Sequence, residues 1–194
     1  MNEPWVYDKT LAGTAYQTFN GQIISAMESV ETQSHLKIVP LLFDSGWTEI
    51  LDEALDVNKP NVLWSSHPYY PATNWDPNGS AYIDQSFTWN GQVIPQGWGT
   101  QTQYLAYRLI RMANKIHSWN QPWITTEFGK PVTQTAWDVW FRTELKVEAD
   151  YNISGWSLFC YTQDPNKQPG YNICNPTTGQ QIMTVIAPYM VQPT

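Results

Sequence analysis

Charge is what this sequence has least of. Charged residues make up 14% of its 194 positions, and Lys and Arg together number 10, against about 25% charged in an ordinary domain. No basic run is present to displace counterions from a phosphate backbone, which excludes nucleic acid as an expected partner. Cysteine is nearly absent too: Cys160 and Cys174 are the two, in a Pro-, Asn-, Gln- and Gly-rich stretch. No Cys/His spacing resembles a zinc site, so neither a metal nor a cofactor is expected. A disulfide between the two remains open and would add about 3 kcal/mol by closing a loop of about 15 residues. Long apolar runs are also missing, because Asp, Ser, Gln or Pro interrupts each within about ten positions, short of the roughly 20 a membrane span needs.

Aromatic rings are abundant, with 11 Trp and 11 Tyr among the 194 residues and a net charge of −7. A ring-rich, charge-poor chain suits neutral polar ligands, since aromatic faces stack on sugar C–H surfaces while amides and hydroxyls pair with hydroxyls. The length fits one domain spanning 1–194.

Short β-branched runs alternate with amphipathic ones. The pattern predicts a helix over 13–34, a strand over 36–43, a helix over 47–57 and a strand over 61–69. A long loop covers 70–99, followed by a helix over 100–119, a strand over 123–128, a helix over 135–150, a strand over 153–161 and a helix over 181–190. Repeated strand–helix units argue for parallel strands in an α/β fold. A closed barrel of this type needs eight strands in about 250 residues, so the inventory corresponds to half of one.

In parallel α/β folds reactive residues gather at the carboxyl ends of the strands. Asn2-Glu3-Pro4-Trp5 stands where the tip of a preceding strand would be, and Thr125-Thr126-Glu127-Phe128-Gly129 closes the third predicted strand. The plain alternatives are a solvated terminal residue for Glu3, a salt-bridged carboxylate for Glu127 and a hydrogen-bonded core residue for His67. A period of two places Ser65, His67 and Tyr69 on one face of their strand. The same arithmetic groups Trp123, Thr125 and Glu127 opposite Ile124, Thr126 and Phe128.

Three motifs, Asn2-Glu3-Pro4, His67-Pro68-Tyr69 and Thr126-Glu127-Phe128-Gly129, resemble in order the ends of the fourth, sixth and seventh barrel strands of the retaining glycoside hydrolases of clan A. The similarity is strongest to glycoside hydrolase family 5, the cellulase family. It implies the carboxyl-terminal half of a TIM (β/α)8 barrel, strands 5 to 8 with the tip of strand 4, acting as an endoglucanase-like retaining β-glycosidase on β-1,4-glucan or a related β-glycan. Glu127 would be the nucleophile and Glu3 the acid/base, their carboxyls about 5 to 5.5 Å apart as double displacement requires. Asn2 would bind the sugar 2-hydroxyl, His67 would contact the sugar or orient the site, and Tyr69 would donate to Glu127.

For the sugar platform on the eighth strand two registers are open: Trp156 takes that place, or Trp156 is core and Phe159 takes it. Trp75, Trp89 and Trp98 of the long loop either stack further sugar units or cover an apolar edge. Asp76-Pro77-Asn78-Gly79-Ser80 has a misplaced Gly and no closing Glu for a calcium loop, and is read as a turn. The family's first three strands, with an Arg of its site, have no counterpart here. The expectation is a missing amino-terminal half, or a homodimer closing the barrel. A non-catalytic carbohydrate-binding half barrel is the alternative. Secretion follows from the resemblance alone, since no signal peptide is visible.

Overall fold

The computed structural model describes residues 9–34, 41–44, 62–69, 74–159, 164, 166 and 170–190. Four strands, β1 (Leu41–Asp44), β2 (Val62–Ser66), β7 (Trp123–Phe128) and β8 (Gly155–Leu158), form one parallel sheet in the order β1-β2-β7-β8. Helix α1 (Lys9–Ser34) precedes it, α2 (Gln101–Ser118) joins β2 to β7 after an insertion, α3 (Trp137–Asp150) joins β7 to β8, and α4 (Pro176–Ile186) follows. The α/β class with a parallel sheet is therefore observed. The helix expected over 47–57 lies outside the described residues.

Helix starts follow their caps. At α2, Thr100 Oγ1 accepts from the Gln103 amide at 3.1 Å and Gln103 Oε1 accepts from the Thr100 amide at 2.8 Å, a reciprocal capping box. Leu105, Leu109, Met112 and Ile116 then form a buried stripe at helical spacing. α4 begins at Pro176, five residues before its predicted start. Asn175 Oδ1 accepts from the Thr177 and Thr178 amides, and proline at the first position has no N–H to leave unpaired. α3 begins two residues later than predicted because Ala136 is left-handed, with φ 51°, and its carbonyl accepts from Trp75 Nε1 at 3.0 Å.

The stretch expected to be a loop over 70–99 holds two antiparallel ribbons. β3 (Ser80–Ile83) pairs with β6 (Gly97–Thr100), and inside them β4 (Phe87–Trp89) pairs with β5 (Gln92–Ile94). Asn90 and Gly91, at φ 50° and 73°, make the two-residue turn between β4 and β5, the backbone pair that a tight hairpin demands. Ile83, Ile94 and Tyr107 bury a small second core that seats the ribbons on α2. Tyr107 also donates to Asp84, which Arg111 meets at 3.0 Å. Asp76 makes the expected turn, its carboxylate accepting from the Asn78 amide at 3.0 Å and its carbonyl from the Gly79 amide at 2.9 Å.

The main core joins α2, α3 and α4 to one face of the sheet through Trp64, Trp123, Phe128, Trp140 and Phe141, all essentially inaccessible. Trp75, from the ribbon insertion, is buried in it too. Cys174 carries a free thiol, and Cys160, the other half of the pair left open by the sequence, lies outside the described residues. Among the described residues no helix is long and apolar enough to cross a membrane.

Candidate active site

β2 and β7 lie side by side with Trp64 opposite Trp123, Ser65 opposite Ile124 and Ser66 opposite Thr125. Laterally paired residues of parallel strands share a face. Trp64, Ser66, Trp123 and Thr125 therefore form the helix-covered face, where Trp123 Nε1 donates to Ser66 Oγ at 2.9 Å. Ser65, Ile124 and Thr126 form the other, with Thr126 Oγ1 2.5 Å from Ser65 Oγ.

Strict alternation would put Glu127 on the helix-covered face with Thr125. The structure corrects this. β7 pairs with β8 through Thr125 opposite Trp156 and then Phe128 opposite Leu158, so three steps on one strand meet two on the other. That extra residue is a β-bulge, which resets the alternation. Phe128 returns to the helix side, its ring 5.5 Å from Phe141, 6.2 Å from Trp140 and 5.7 Å from Trp156. Thr126 and Glu127 are left together on the face turned away from α3.

His67, just past the carboxyl end of β2, binds both. Its Nδ1 lies 3.0 Å from Glu127 Oε2 and its Nε2 3.1 Å from Thr126 Oγ1. The imidazole is buried, whereas the Glu127 side chain keeps 26% of its surface open and can meet a ligand. The salt-bridge alternative for Glu127 and the catalytic one thus share a partner. Tyr69 follows His67, its ring edge-on to Phe159 at 6.0 Å, and Phe159 stands edge-on to Tyr171 at 5.4 Å.

Trp156 packs against Phe128 and the main core, and Phe159 faces Tyr69. Its pairing with Thr125 puts Trp156, half-buried, on the helix side of the sheet. Asn2 and Glu3 lie outside the described residues.

Gly129 permits this arrangement. A Cβ there would stand 2.6 Å from the Phe159 carbonyl oxygen and 3.2 Å from the Tyr171 ring, while the Phe159 amide donates to the Phe128 carbonyl at 2.8 Å. Gly129→Ala must displace the Phe159 backbone, at a cost of about 1–3 kcal/mol for overpacking. The expected result is a lower urea midpoint; an unchanged one would show that the β8 end yields freely.

The neighbouring Lys130 is buried between the Trp75 and Trp140 rings, its Nζ 6.0 and 5.7 Å from their centroids. Burial pushes its ammonium down to about 8. Alternation already groups Ser65 with His67, but Thr126 joins Glu127 only through the bulge, which leaves no mark in an alternation count. Among the described residues no group of three His, Cys, Asp or Glu side chains is placed to hold a metal.

The fold and site define a parallel α/β protein with a carboxylate–imidazole pair at its strand ends. No family model matches the chain, and no curated protein matches it. Among solved structures it is similar to the Clostridial cellulose synthase subunit Z from Clostridioides difficile, with TM-score 0.47 and 19% identity over 72% of this chain and 45% of that one. It is also similar to an endoglucanase, with TM-score 0.42 and 16% identity over 66% of this chain and 38% of that one. The chain spans less than half the length of either.

Proposed function

We propose that this chain is the carboxyl-terminal half of a (β/α)8-barrel retaining glycosidase that cleaves β-1,4-glucan or a related β-glycan by double displacement. The observation that carries the reading is the Glu127 carboxylate, partly open at the end of β7 and 3.0 Å from the buried His67 imidazole. A nucleophile must be held in place while a sugar approaches, and the hydrogen bond from His67 fixes the carboxylate there. Glu127 attacks the anomeric carbon as Glu3 protonates the departing oxygen. Water then releases the sugar, with Glu3 returned to the role of base. Asn2 holds the sugar 2-hydroxyl, and Phe159 with Tyr69 supplies the apolar wall. The test is reducing-sugar release from soluble β-glucan and β-mannan by the chain beside Glu127→Gln. Release that survives the substitution overturns the reading.

A second reading, a carbohydrate-binding half barrel without turnover, is favoured by one observation. Trp98 on β6 is 77% exposed and lies against Tyr82 of β3, also exposed, with ring centroids 5.7 Å apart. Trp75 and Trp89 differ, the first buried in the core and the second packed against it. Trp98→Ala is expected to weaken cello-oligosaccharide binding by on the order of ten-fold, the worth of one good aromatic contact, at unchanged stability. Equal affinity in isothermal titration would remove Trp98 from the binding surface.

A further inference from the structure

We propose that Thr126, backed by Ser65, is a positioning residue that holds the His67 ring as its Nδ1–H tautomer and aims that proton at Glu127. The functional meaning of this rests on the reading of Glu127 as nucleophile, but the ring chemistry does not.

His67 is 2% exposed, so both ring nitrogens must find partners within the protein. An ionised carboxylate only accepts, and Glu127 Oε2 is 3.0 Å from Nδ1, so Nδ1 carries the hydrogen. In the neutral ring Nε2 is then an acceptor, and the hydroxyl 3.1 Å away belongs to Thr126. Thr126 has one hydroxyl proton. Given to Nε2, it leaves the Thr126 oxygen to accept, and Ser65 Oγ at 2.5 Å is the donor. Ser65 donates to Thr126, Thr126 to His67 and His67 to Glu127, so every hydrogen bond in the chain points toward the carboxylate and each polarises the next. The reverse order would place the hydrogen on Nε2 and set the Nδ1 lone pair against the carboxylate oxygen. The bulge in β7 makes the clamp possible, because it lets two consecutive residues, Thr126 and Glu127, meet the two nitrogens of one ring.

Of the chain's 3 histidines, His35 and His117 are replaced by Gln, so that nitrogen-15 NMR of the labelled chain at pH 8 sees His67 alone. The expected spectrum has a protonated Nδ1 and a bare Nε2. Thr126→Val, similar in shape but without the hydroxyl, is expected to shift the ring toward the Nε2–H form or into exchange between the two, and Thr126→Ser to keep the parent pattern. Ser65→Ala leaves Thr126 in place and is expected to give a partial shift, which serves if the valine variant does not fold. A parent ring protonated at Nε2, or an Nδ1–H signature unchanged by Thr126→Val, overturns the proposal. In an active chain kcat should fall by up to about 10²-fold in Thr126→Val with KM little changed, the expected cost of a misaimed group, and recover in Thr126→Ser. Sugar release that survives Glu127→Gln overturns the hydrolase reading, and the ring signature then decides this one by itself.

Discussion

On the proposed reading of Glu127 as nucleophile, Glu127→Gln is expected to lower kcat on β-glucan by about 10³-fold or more, leaving only the catalysis that binding and electrostatics supply. The amide keeps the size of the side chain and still accepts from His67, so KM and stability should change little. The loss should also be the same for every substrate, because no leaving group, however acidic, replaces the missing bond to the anomeric carbon. Glu3→Gln should behave differently. An acid is needed only where the departing oxygen is basic, so this variant should lose about 10²–10⁴-fold on glucan, the usual worth of general acid–base help, yet retain much of the glycosylation rate on aryl glycosides with acidic phenols. Steady-state kinetics on both substrate types checks the pair. Equal losses for the two variants on both substrates would overturn the division of roles.

Glu148→Gln is expected to stabilise the chain on the alkaline side, by on the order of 5 kcal/mol at pH 8 and above. Glu144 and Glu148 sit one turn apart on α3, both buried against the sheet, and among the described residues no hydrogen bond of good geometry reaches their carboxyl oxygens. Burial pushes the Glu148 carboxyl up to about 8 from an ordinary 4.5, and the nearby Thr125 hydroxyl, too poorly aligned for a full hydrogen bond, opposes the shift. Burial pushes Glu144 well up as well, with the Glu148 charge adding to the effect.

The sign follows from which state holds the proton. Below about pH 4.5 both folded and unfolded chains are protonated at Glu148, and the carboxyl costs little. Between 4.5 and 8 the unfolded chain ionises while the folded chain keeps its proton, so stability falls by about 1.4 kcal/mol per pH unit; above 8 both are ionised and the loss is complete. Glutamine does not titrate, so the variant and the parent should be alike near pH 4.5 and diverge as pH rises. Urea unfolding at half-unit steps from pH 4.5 to 8.5 measures this directly. Parallel curves would mean that Glu148 is solvated in the folded chain.

Much of the architecture is legible because burial writes itself into hydrophobic order. β7 runs over Trp123–Phe128 as its apolar and β-branched residues predict, and α2 over Gln101–Ser118 departs from the predicted 100–119 only by its cap and its last residue. The misplaced boundaries share a cause. Gly13 was expected at the start of α1 and lies inside it, and α4 was expected where its apolar residues begin, not at the Asn175 cap. Apolar spacing marks the buried part of a helix, while its ends are set by local hydrogen bonds. The ribbons over 80–100 went unseen because Pro, Gly and Asn outweighed the alternation between them, although Asn90-Gly91 carried the turn signal.

At the site, the sequence by itself determined which chemistry is available: a glutamate, a histidine and a tyrosine at strand ends, in a chain with little other charge. Their faces were decided by the tertiary structure. Alternation assigns a side of the sheet only while the ladder keeps register, and the extra residue between Thr125 and Phe128 depends on what β8 offers as a partner. That single shift moves Glu127 beside Thr126 and within 3.0 Å of His67. The same pairing sets Trp156, half-buried, against the core and turns Phe159 toward Tyr69. Register is a property of two strands together, so it cannot be read from either strand alone.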